Sequence, residues 1–243
     1  MNLAILSVLV AVGAVVVLGV EVRIVEPVLY VHVGKSAGGT IRAFLQSLHV
    51  KYKKFHLHDG AVPLSELELF RTLIVAMRDP TERVISGYNW NKNHIPRHFN
   101  RHSFDPLFQC SPSARDFCNC FLSQNRSGCC RTVREGLRRG APFGHISVGL
   151  ETYFADILDS LKAGKWPGQI LAVNAEHLQE DLTRLANIVG ENSPTALPCI
   201  RCDYQTKTIN QPTEAGRAAL RRHLELETNE YDIYNFIENH SVL

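Results

Sequence analysis

Lys35 and the small residues around it stand where a mostly apolar segment of the sequence ends, and this combination could bind phosphate. Residues 28–33 are typical of a strand, and a loop of glycine, serine and alanine then leads into a helical pattern at Ile41. Backbone N–H groups at such a junction point toward an anion, and the helix dipole and a lysine ammonium add positive charge. The sequence therefore predicts an anion-binding loop over 34–40.

A second anion-binding residue follows a later apolar segment. Residues 73–77 predict a strand, and Arg78 stands directly after it. A guanidinium can bind one phosphate through two parallel N–H donors. Because ligands of open α/β sheets bind at the carboxyl ends of the strands, Lys35 and Arg78 should lie at the same edge of one sheet.

The elements that must position these residues alternate between strand and helix. Strands are predicted over 28–33, 54–57, 73–77 and 170–173, and helices over 39–48, 64–70, 81–91, 147–161, 175–189, 214–225 and 229–238. Short apolar strands of this kind are typical of a buried parallel sheet. We therefore expect an α/β fold, a three-layer domain with a central parallel sheet, and Asn174 as the N-cap of the helix over 175–189.

Length and charge limit the function classes. The chain has 243 residues, enough for one α/β domain with a full core, and 45% of them are hydrophobic. The net charge is only +2, which argues against wholesale binding of nucleic acid. We assign 1–26 to a leader and short linker and 27–243 to one domain.

An uninterrupted apolar run without charge covers residues 3–20. Its length is near the minimum for a membrane span and is long for the core of a signal peptide. We favour a retained signal-anchor that holds a lumenal domain at a membrane of the secretory pathway. A cleaved signal, which would give a secreted protein, and a buried helix are the alternatives.

Cysteines cluster in a segment that departs from the alternating pattern. The insertion over about 95–141 contains five of the seven cysteines, Cys110, Cys118, Cys120, Cys129 and Cys130, and the others are Cys199 and Cys202. Seven cysteines after an apolar leader favour disulfides, and we expect three bridges with one thiol left over. A zinc site of four thiolates and unpaired thiols are the alternatives.

A nucleoside triphosphatase motif does not fit the loop. Gly34-Lys35-Ser36 is similar to the end of a Walker A motif, which needs a glycine five positions before Gly34, but that position is Leu29. In addition, the strand over 73–77 is followed by Arg78 and not by an acidic magnesium ligand. Two independent features thus argue against a kinase or NTPase.

Two motifs instead resemble those of sulfotransferases that use 3′-phosphoadenosine 5′-phosphosulfate (PAPS), in particular the membrane-anchored carbohydrate group with the heparan sulfate 2-O- and 6-O-enzymes. They are His32-Val33-Gly34-Lys35-Ser36-Ala37-Gly38-Gly39-Thr40 and Arg78-Asp79-Pro80-Thr81-Glu82-Arg83-Val84-Ile85-Ser86-Gly87-Tyr88. The resemblance is sharp over 30–90 and looser over 145–190, and the insertion has no counterpart. Where the family usually has proline this chain has Gly34, a change we expect the loop to tolerate.

The resemblance implies a P-loop-like fold and a role for each motif residue. The 5′-phosphosulfate would be held by Lys35 and by the N–H groups of Ser36, Ala37, Gly38, Gly39 and Thr40. Lys35 would also neutralise charge on the leaving oxygen. Arg78 and Ser86 would bind the 3′-phosphate without a metal, whereas Arg83 either contacts the nucleotide or pairs with an acid such as Asp79 or Glu82.

A hydroxyl acceptor needs a general base, for which histidine is suited near neutral pH. His58 follows the second predicted strand at the expected sheet edge, in the sequence His58-Asp59, and the 6-O-enzymes carry a catalytic histidine after the corresponding strand. We therefore predict His58 as the base, with His56 as the alternative. His32 is predicted to be structural.

The resemblance implies that the acceptor is a carbohydrate. Two groups of cations that follow the second motif favour an anionic polysaccharide. They are Lys92, His94, Arg97, His98, Arg101 and His102, and then Arg131, Arg134, Arg138 and Arg139. Clustered cations favour a polyanion, although a solvated surface is the alternative. The function expected from the resemblance is a PAPS-dependent carbohydrate sulfotransferase of the Golgi membrane. The alternatives are a small-molecule sulfotransferase and a non-catalytic nucleotide- or glycan-binding protein.

Overall fold

A four-stranded parallel sheet forms the centre of the fold in a computed structural model, which describes residues 22–56, 60–98, 105–122, 127–138, 143–190 and 211–243. The strands are β1 (Val28–Val31), β2 (Tyr52–Phe55), β3 (Thr72–Met77) and β4 (Gln169–Asn174), in the order β2-β1-β3-β4. All residues of β1 and β3, the central strands, are buried. The α/β prediction with a central parallel sheet is confirmed.

The helices of the described residues follow the strands in chain order. They are α1 (Gly38–Ser47), α2 (Leu64–Leu67), α3 (Pro80–His98), α4 (Asp105–Cys110), α5 (Ala114–Asn119), α6 (Gly128–Glu135), α7 (Leu150–Phe154), α8 (Leu158–Lys162), α9 (Leu178–Val189), α10 (Glu214–Glu227) and α11 (Glu230–His240).

Helices cover both faces of the sheet, because successive strand residues point to opposite sides. On one face Val28 and Tyr30 pack with residues of α1 and α9. On the other face Leu29 and Val31 pack with residues of α2, α7, α8 and α11. This arrangement gives the three layers that the sequence pattern predicts.

The strand order places a topological switch between β1 and β3. From β1 the chain crosses to β2 on one side, and from β3 it crosses to β4 on the other. The connecting segments therefore diverge at the carboxyl ends of the two central strands, the position at which open α/β sheets bind ligands. The two predicted anion-binding segments follow these two strands.

The described part of the insertion is a small helical layer that packs on α3 and α10. Disulfides join Cys110 to Cys129 and Cys120 to Cys130, whereas Cys118 is buried and bonds none of the cysteines that the structure describes. The disulfide prediction is confirmed, and the zinc alternative is wrong for these four bonded cysteines. Cys199 and Cys202 lie outside the described residues, so two of the three expected bridges are seen.

Two helix predictions need correction. The helix expected over 147–161 is divided into α7 and α8, because the Ile157 N–H bonds the Phe154 carbonyl three residues back and ends the regular helix. Asn174 does not cap a helix: its Oδ1 accepts from the Glu176 N–H within a turn, and α9 begins later, at Leu178.

The predicted anchor over 3–20 lies outside the described residues. Within the ranges that the structure does describe, none of the helices is long and apolar enough to span a bilayer.

Candidate anion-binding site

The loop between β1 and α1 has an unusual backbone. Lys35 and Ala37 have φ angles of 66° and 56°, in the left-handed region that side chains other than glycine rarely adopt. Alternation of such residues with ordinary ones turns successive N–H groups toward one point and forms an anion-binding concavity. The Ala37 carbonyl accepts from the N–H groups of Thr40 and Ile41 and so begins α1.

Four consecutive N–H groups of this loop are available to a ligand. Those of Ser36, Ala37, Gly38 and Gly39 make no hydrogen bond of ordinary length and angle to an acceptor among the described residues. The Ser36 side chain is fully buried and its Oγ also has no partner. A buried polar group without a partner costs about 1–3 kcal/mol, so an anion that accepts from the Ser36 hydroxyl and these N–H groups would be stabilised here. The fifth predicted donor, the Thr40 N–H, is instead used within the helix.

Two glycines let histidine rings approach the loop. A Cβ at Gly34 would lie 2.4 Å from Nδ1 of His145, and one at Gly38 would lie 2.0 Å from Cδ2 of His32. Gly34 therefore lets the His145 ring lie against the loop. Sequence reasoning missed His145, because this contact depends on a segment far along the chain.

The Lys35 ammonium lies over the indole of Trp90, 3.9 Å from the ring centroid. The His94 imidazole stacks on the same indole at 3.7 Å with an interplanar angle of 13°, and His94 Nδ1 lies 2.9 Å from the Trp90 carbonyl oxygen. Sequence reasoning missed Trp90 as part of the site. The available signal was its spacing of four from Ser86, which places both on one face of α3.

Arg78 reaches from the end of β3 to the loop that follows β1. Its Nη1 donates to the Lys35 carbonyl at 3.5 Å, and its Nε lies 3.4 Å from Oε1 of Glu176. The other oxygen of Glu176 accepts from the Asp79 N–H at 3.3 Å. The predicted neighbourhood of Lys35 and Arg78 is therefore present, with Glu176 as an acidic residue that the sequence did not indicate.

The other residues of the second motif have mainly structural contacts. Asp79 Oδ1 accepts from the Glu82 N–H at the start of α3, and its Oδ2 accepts from the Tyr231 hydroxyl at 2.8 Å. Tyr88 is fully buried and donates to the Ser111 carbonyl at the insertion. These residues shape and anchor the helix that carries Trp90.

Arg83 is buried and pairs with neither Asp79 nor Glu82. Its Nη1 donates to the carbonyls of His145 and Val148 at 3.1 and 3.0 Å, and its Nη2 lies 3.6 Å from Oε2 of Glu230. The prediction that Arg83 pairs with an acid is therefore confirmed, although the acid is Glu230 of α11 and not Asp79 or Glu82. Ser86 is half-buried on α3 and makes no hydrogen bond with Arg78 in the described structure.

The histidine expected to act as base, His58, lies outside the described residues, as do its neighbours at 57 and 59. His56 is half-buried after β2, with its ring centroid 4.7 Å from that of His32. Burial and the neighbouring His56 lower the pKa of His32 to about 3. His32 is therefore neutral and packed against the loop, in agreement with a structural role.

Part of the predicted acceptor surface comes together around a cavity of about 290 Å³. Arg131, Arg134 and Arg138 line it with His223, but so do Glu135 and Glu227. Arg139, Arg101 and His102 lie outside the described residues, and the side chains of Arg97 and His98 are not described either. The described arginines thus share one surface whose charge is partly balanced by carboxylates.

A second polar cavity, of about 310 Å³, opens at the ends of β3 and β4. Met77, Asn174, His177 and Asp181 contribute to its lining. Burial raises the pKa of Asp181, whose carboxylate accepts from the Asn174 N–H at 2.8 Å. This cavity lies beside the strand that carries Arg78 and does not include Lys35 or Ser36.

No group of three His, Cys, Asp or Glu side chains suited to hold a metal occurs among the residues that the structure describes. The site's chemistry is that of an anion receptor: backbone donors, a buried hydroxyl, an ammonium and a guanidinium. Comparisons of the chain with family models, with curated proteins and with solved structures found no match.

Proposed function

We propose that this protein is a PAPS-dependent sulfotransferase that modifies a hydroxyl of a carbohydrate. The observation that carries the proposal is the set of four N–H groups over Ser36–Gly39 without an ordinary hydrogen bond to any described residue. A buried hydroxyl and Lys35 lie beside them, at the switch point of a parallel sheet. Such a set fits a highly charged anion. The two sequence motifs favour PAPS over other nucleotides.

The residues present fit the donor at both of its charged ends. The loop donors and Lys35 would hold the 5′-phosphosulfate, and Arg78, one strand away, would hold the 3′-phosphate. The polar cavity lined by Met77 and Asn174, the last residues of β3 and β4, would offer space for the nucleoside. Ser86 and Arg78 make no hydrogen bond with each other in the described structure, so Ser86 would belong to the 3′-phosphate site only if one phosphate binds both side chains.

The donor supplies the activated sulfuryl group, and the protein's residues assist its displacement. An acceptor hydroxyl oxygen forms a bond to sulfur while the bond from sulfur to the bridging phosphate oxygen breaks. Lys35 and the loop N–H groups stabilise the negative charge that develops on that oxygen. His58, with His56 as the alternative, would take the hydroxyl proton. No metal is needed in this scheme.

The insertion is the proposed acceptor-binding part of the protein, because Arg131, Arg134 and Arg138 share one cavity there. Its two disulfides are typical of proteins folded in an oxidising compartment, in agreement with a lumenal enzyme. The Golgi location and the N-terminal membrane anchor are proposals from the sequence.

The test is calorimetric binding of 3′-phosphoadenosine 5′-phosphate (PAP) in EDTA to the wild type, Arg78→Ala and Arg71→Ala. Arg71 is a matched control, since it is exposed and stands before β3 at the opposite end from Arg78. Hydrogen bonds to charged groups contribute about 1.5–3 kcal/mol, so Arg78→Ala should weaken PAP binding by roughly 10- to 150-fold. Arg71→Ala should leave it unchanged.

ATP with magnesium, titrated in parallel, tests the kinase alternative. Absence of PAP binding to the wild type, or binding of magnesium ATP in preference to PAP, would refute the proposed donor. Equal affinity of Arg78→Ala and the wild type for PAP would refute the proposal that Arg78 binds the 3′-phosphate.

A further inference from the structure

Trp90 contacts Lys35, the side chain proposed to stabilise the charge on the leaving oxygen. Lysine is a flexible chain with three rotatable donors, so a lysine in a loop can adopt many positions. Here the Lys35 ammonium lies 3.9 Å from the centroid of the Trp90 ring, within the range of a favourable cation–π interaction. The indole therefore restricts where the Lys35 charge can be.

The indole also contacts His94. The His94 ring lies 3.7 Å from the indole and nearly parallel to it. Lys35 and His94 therefore both pack closely against the Trp90 indole. His94 is fixed in turn by the contact of its Nδ1 with the Trp90 carbonyl, one helical turn back on α3.

This arrangement also argues against the alternative that Trp90 stacks on a sugar ring of the acceptor. A tryptophan that stacks on a sugar needs an open face, whereas the Trp90 indole already has an ammonium and a parallel imidazole within 4 Å. His145 approaches the indole as well, with centroids 6.4 Å apart and rings nearly perpendicular. Trp90 therefore lies between the loop, α3 and the segment of His145.

We propose that Trp90 is a positioning residue that holds the Lys35 ammonium at the anion-binding loop. This inference rests on the proposed function, because the anion that Lys35 would meet is the 5′-phosphate of the donor. A charge fixed before the ligand arrives does not have to be ordered during binding, which raises affinity and supports electrostatic catalysis. His94 contributes indirectly by supporting the indole.

The test combines binding with a measurement that needs no ligand. PAP affinity is measured by calorimetry for Trp90→Leu, Trp90→Phe, Lys35→Met and the double variant Lys35→Met/Trp90→Leu. The strength of cation–π pairs predicts a loss of about tenfold for Trp90→Leu and partial recovery with Trp90→Phe. In the Lys35→Met background the same change at Trp90 should have little effect, because the group it positions is absent.

The contact itself is checked by NMR of the protein with 13C-dimethylated lysines. The Lys35 signal, assigned by its loss in Lys35→Arg, should be displaced upfield by the indole ring current and should lose this displacement in Trp90→Leu. Trp166→Phe is the matched control, since Trp166 is a buried tryptophan bonded to the Phe70 carbonyl in another core. It should change neither the Lys35 signal nor PAP affinity.

The outcomes separate the inference from the proposed function. Wild-type PAP affinity in Trp90→Leu, or an equal loss with and without Lys35, would refute a positioning role while PAP binding by the wild type still supports the donor site. Failure of the wild type to bind PAP would refute PAPS as the donor. It would also refute the proposal that Trp90 positions Lys35 for that donor. In that case the NMR displacement would still show whether the Lys35–Trp90 contact exists.

Discussion

Replacement of Arg83 by methionine should destabilise the fold and should not primarily weaken nucleotide binding. The Arg83 and Glu230 side chains are only 2% and 5% exposed. Methionine has a similar length but no charge, so it would leave the Glu230 carboxylate buried without its cation. It would also remove the donor to the carbonyls of His145 and Val148.

The expected loss follows from the burial of this pair. Removal of one partner of a buried ion pair costs about 3–5 kcal/mol, because the other charge remains in the interior. For a domain of this size that corresponds to a decrease in Tm of about 6 to 20 °C. The two N–H groups that donate to Glu230, those of Leu150 and Glu151, offset part of the cost and favour the lower half of the range.

Urea unfolding followed by circular dichroism measures the effect, with PAP calorimetry on the same samples below their Tm. The matched control is Arg217→Met, because Arg217 pairs with Glu82, the neighbour of Arg83, but both side chains are about one-third exposed. The control should lose less than about 1 kcal/mol. Unchanged stability of Arg83→Met together with a large loss of PAP affinity would refute the structural role of Arg83.

Two further predictions concern His32 and the glycines of the loop. Since the pKa of His32 is about 3 in the folded protein and about 6.5 when unfolded, unfolding takes up a proton between these values. The free energy of unfolding should therefore fall as pH drops below about 6.5, by up to about 1.4 kcal/mol per unit, and level off near 3. Urea unfolding at pH 7 and 5 should show a smaller decrease for His32→Asn than for the wild type, and equal decreases would contradict this. Gly34→Ala should weaken PAP binding at least about tenfold, because its Cβ would meet His145. Gly39→Ala, whose Cβ has nothing within 4 Å, should bind PAP as the wild type does, and similar losses in both would exclude the steric explanation.

The strands and the position of the loop could be predicted from the sequence because their signals are local. Apolar segments bounded by Gly, Pro or charge fixed all four strands of the described sheet to within about two residues. The helices α10 and α11, which have several turns, were found with similar accuracy. The region of α7 and α8 was predicted as one helix. The hydrogen bond from the Ile157 N–H to the Phe154 carbonyl, which separates the two helices, has no clear signal in the sequence.

The candidate site was predictable only as far as its chemistry depends on consecutive residues. Lys35, the small residues after it and Arg78 are marked by what precedes them in the chain. The acid beside Arg78, in contrast, comes from the turn after β4, and its approach depends on the pairing of β3 with β4. Sequence spacing carries no information about such a pairing.

By itself, then, the sequence determined the alternation of strands and helices, the glycine-rich loop and the cationic residues that follow β1 and β3. Tertiary structure decided which side chains meet there: Trp90 on Lys35, His145 against Gly34, and Glu230 on Arg83. The physical reason is that hydrophobic periodicity and backbone propensity act over a few residues. Close packing and charge pairing, however, act between whichever surfaces the fold brings together.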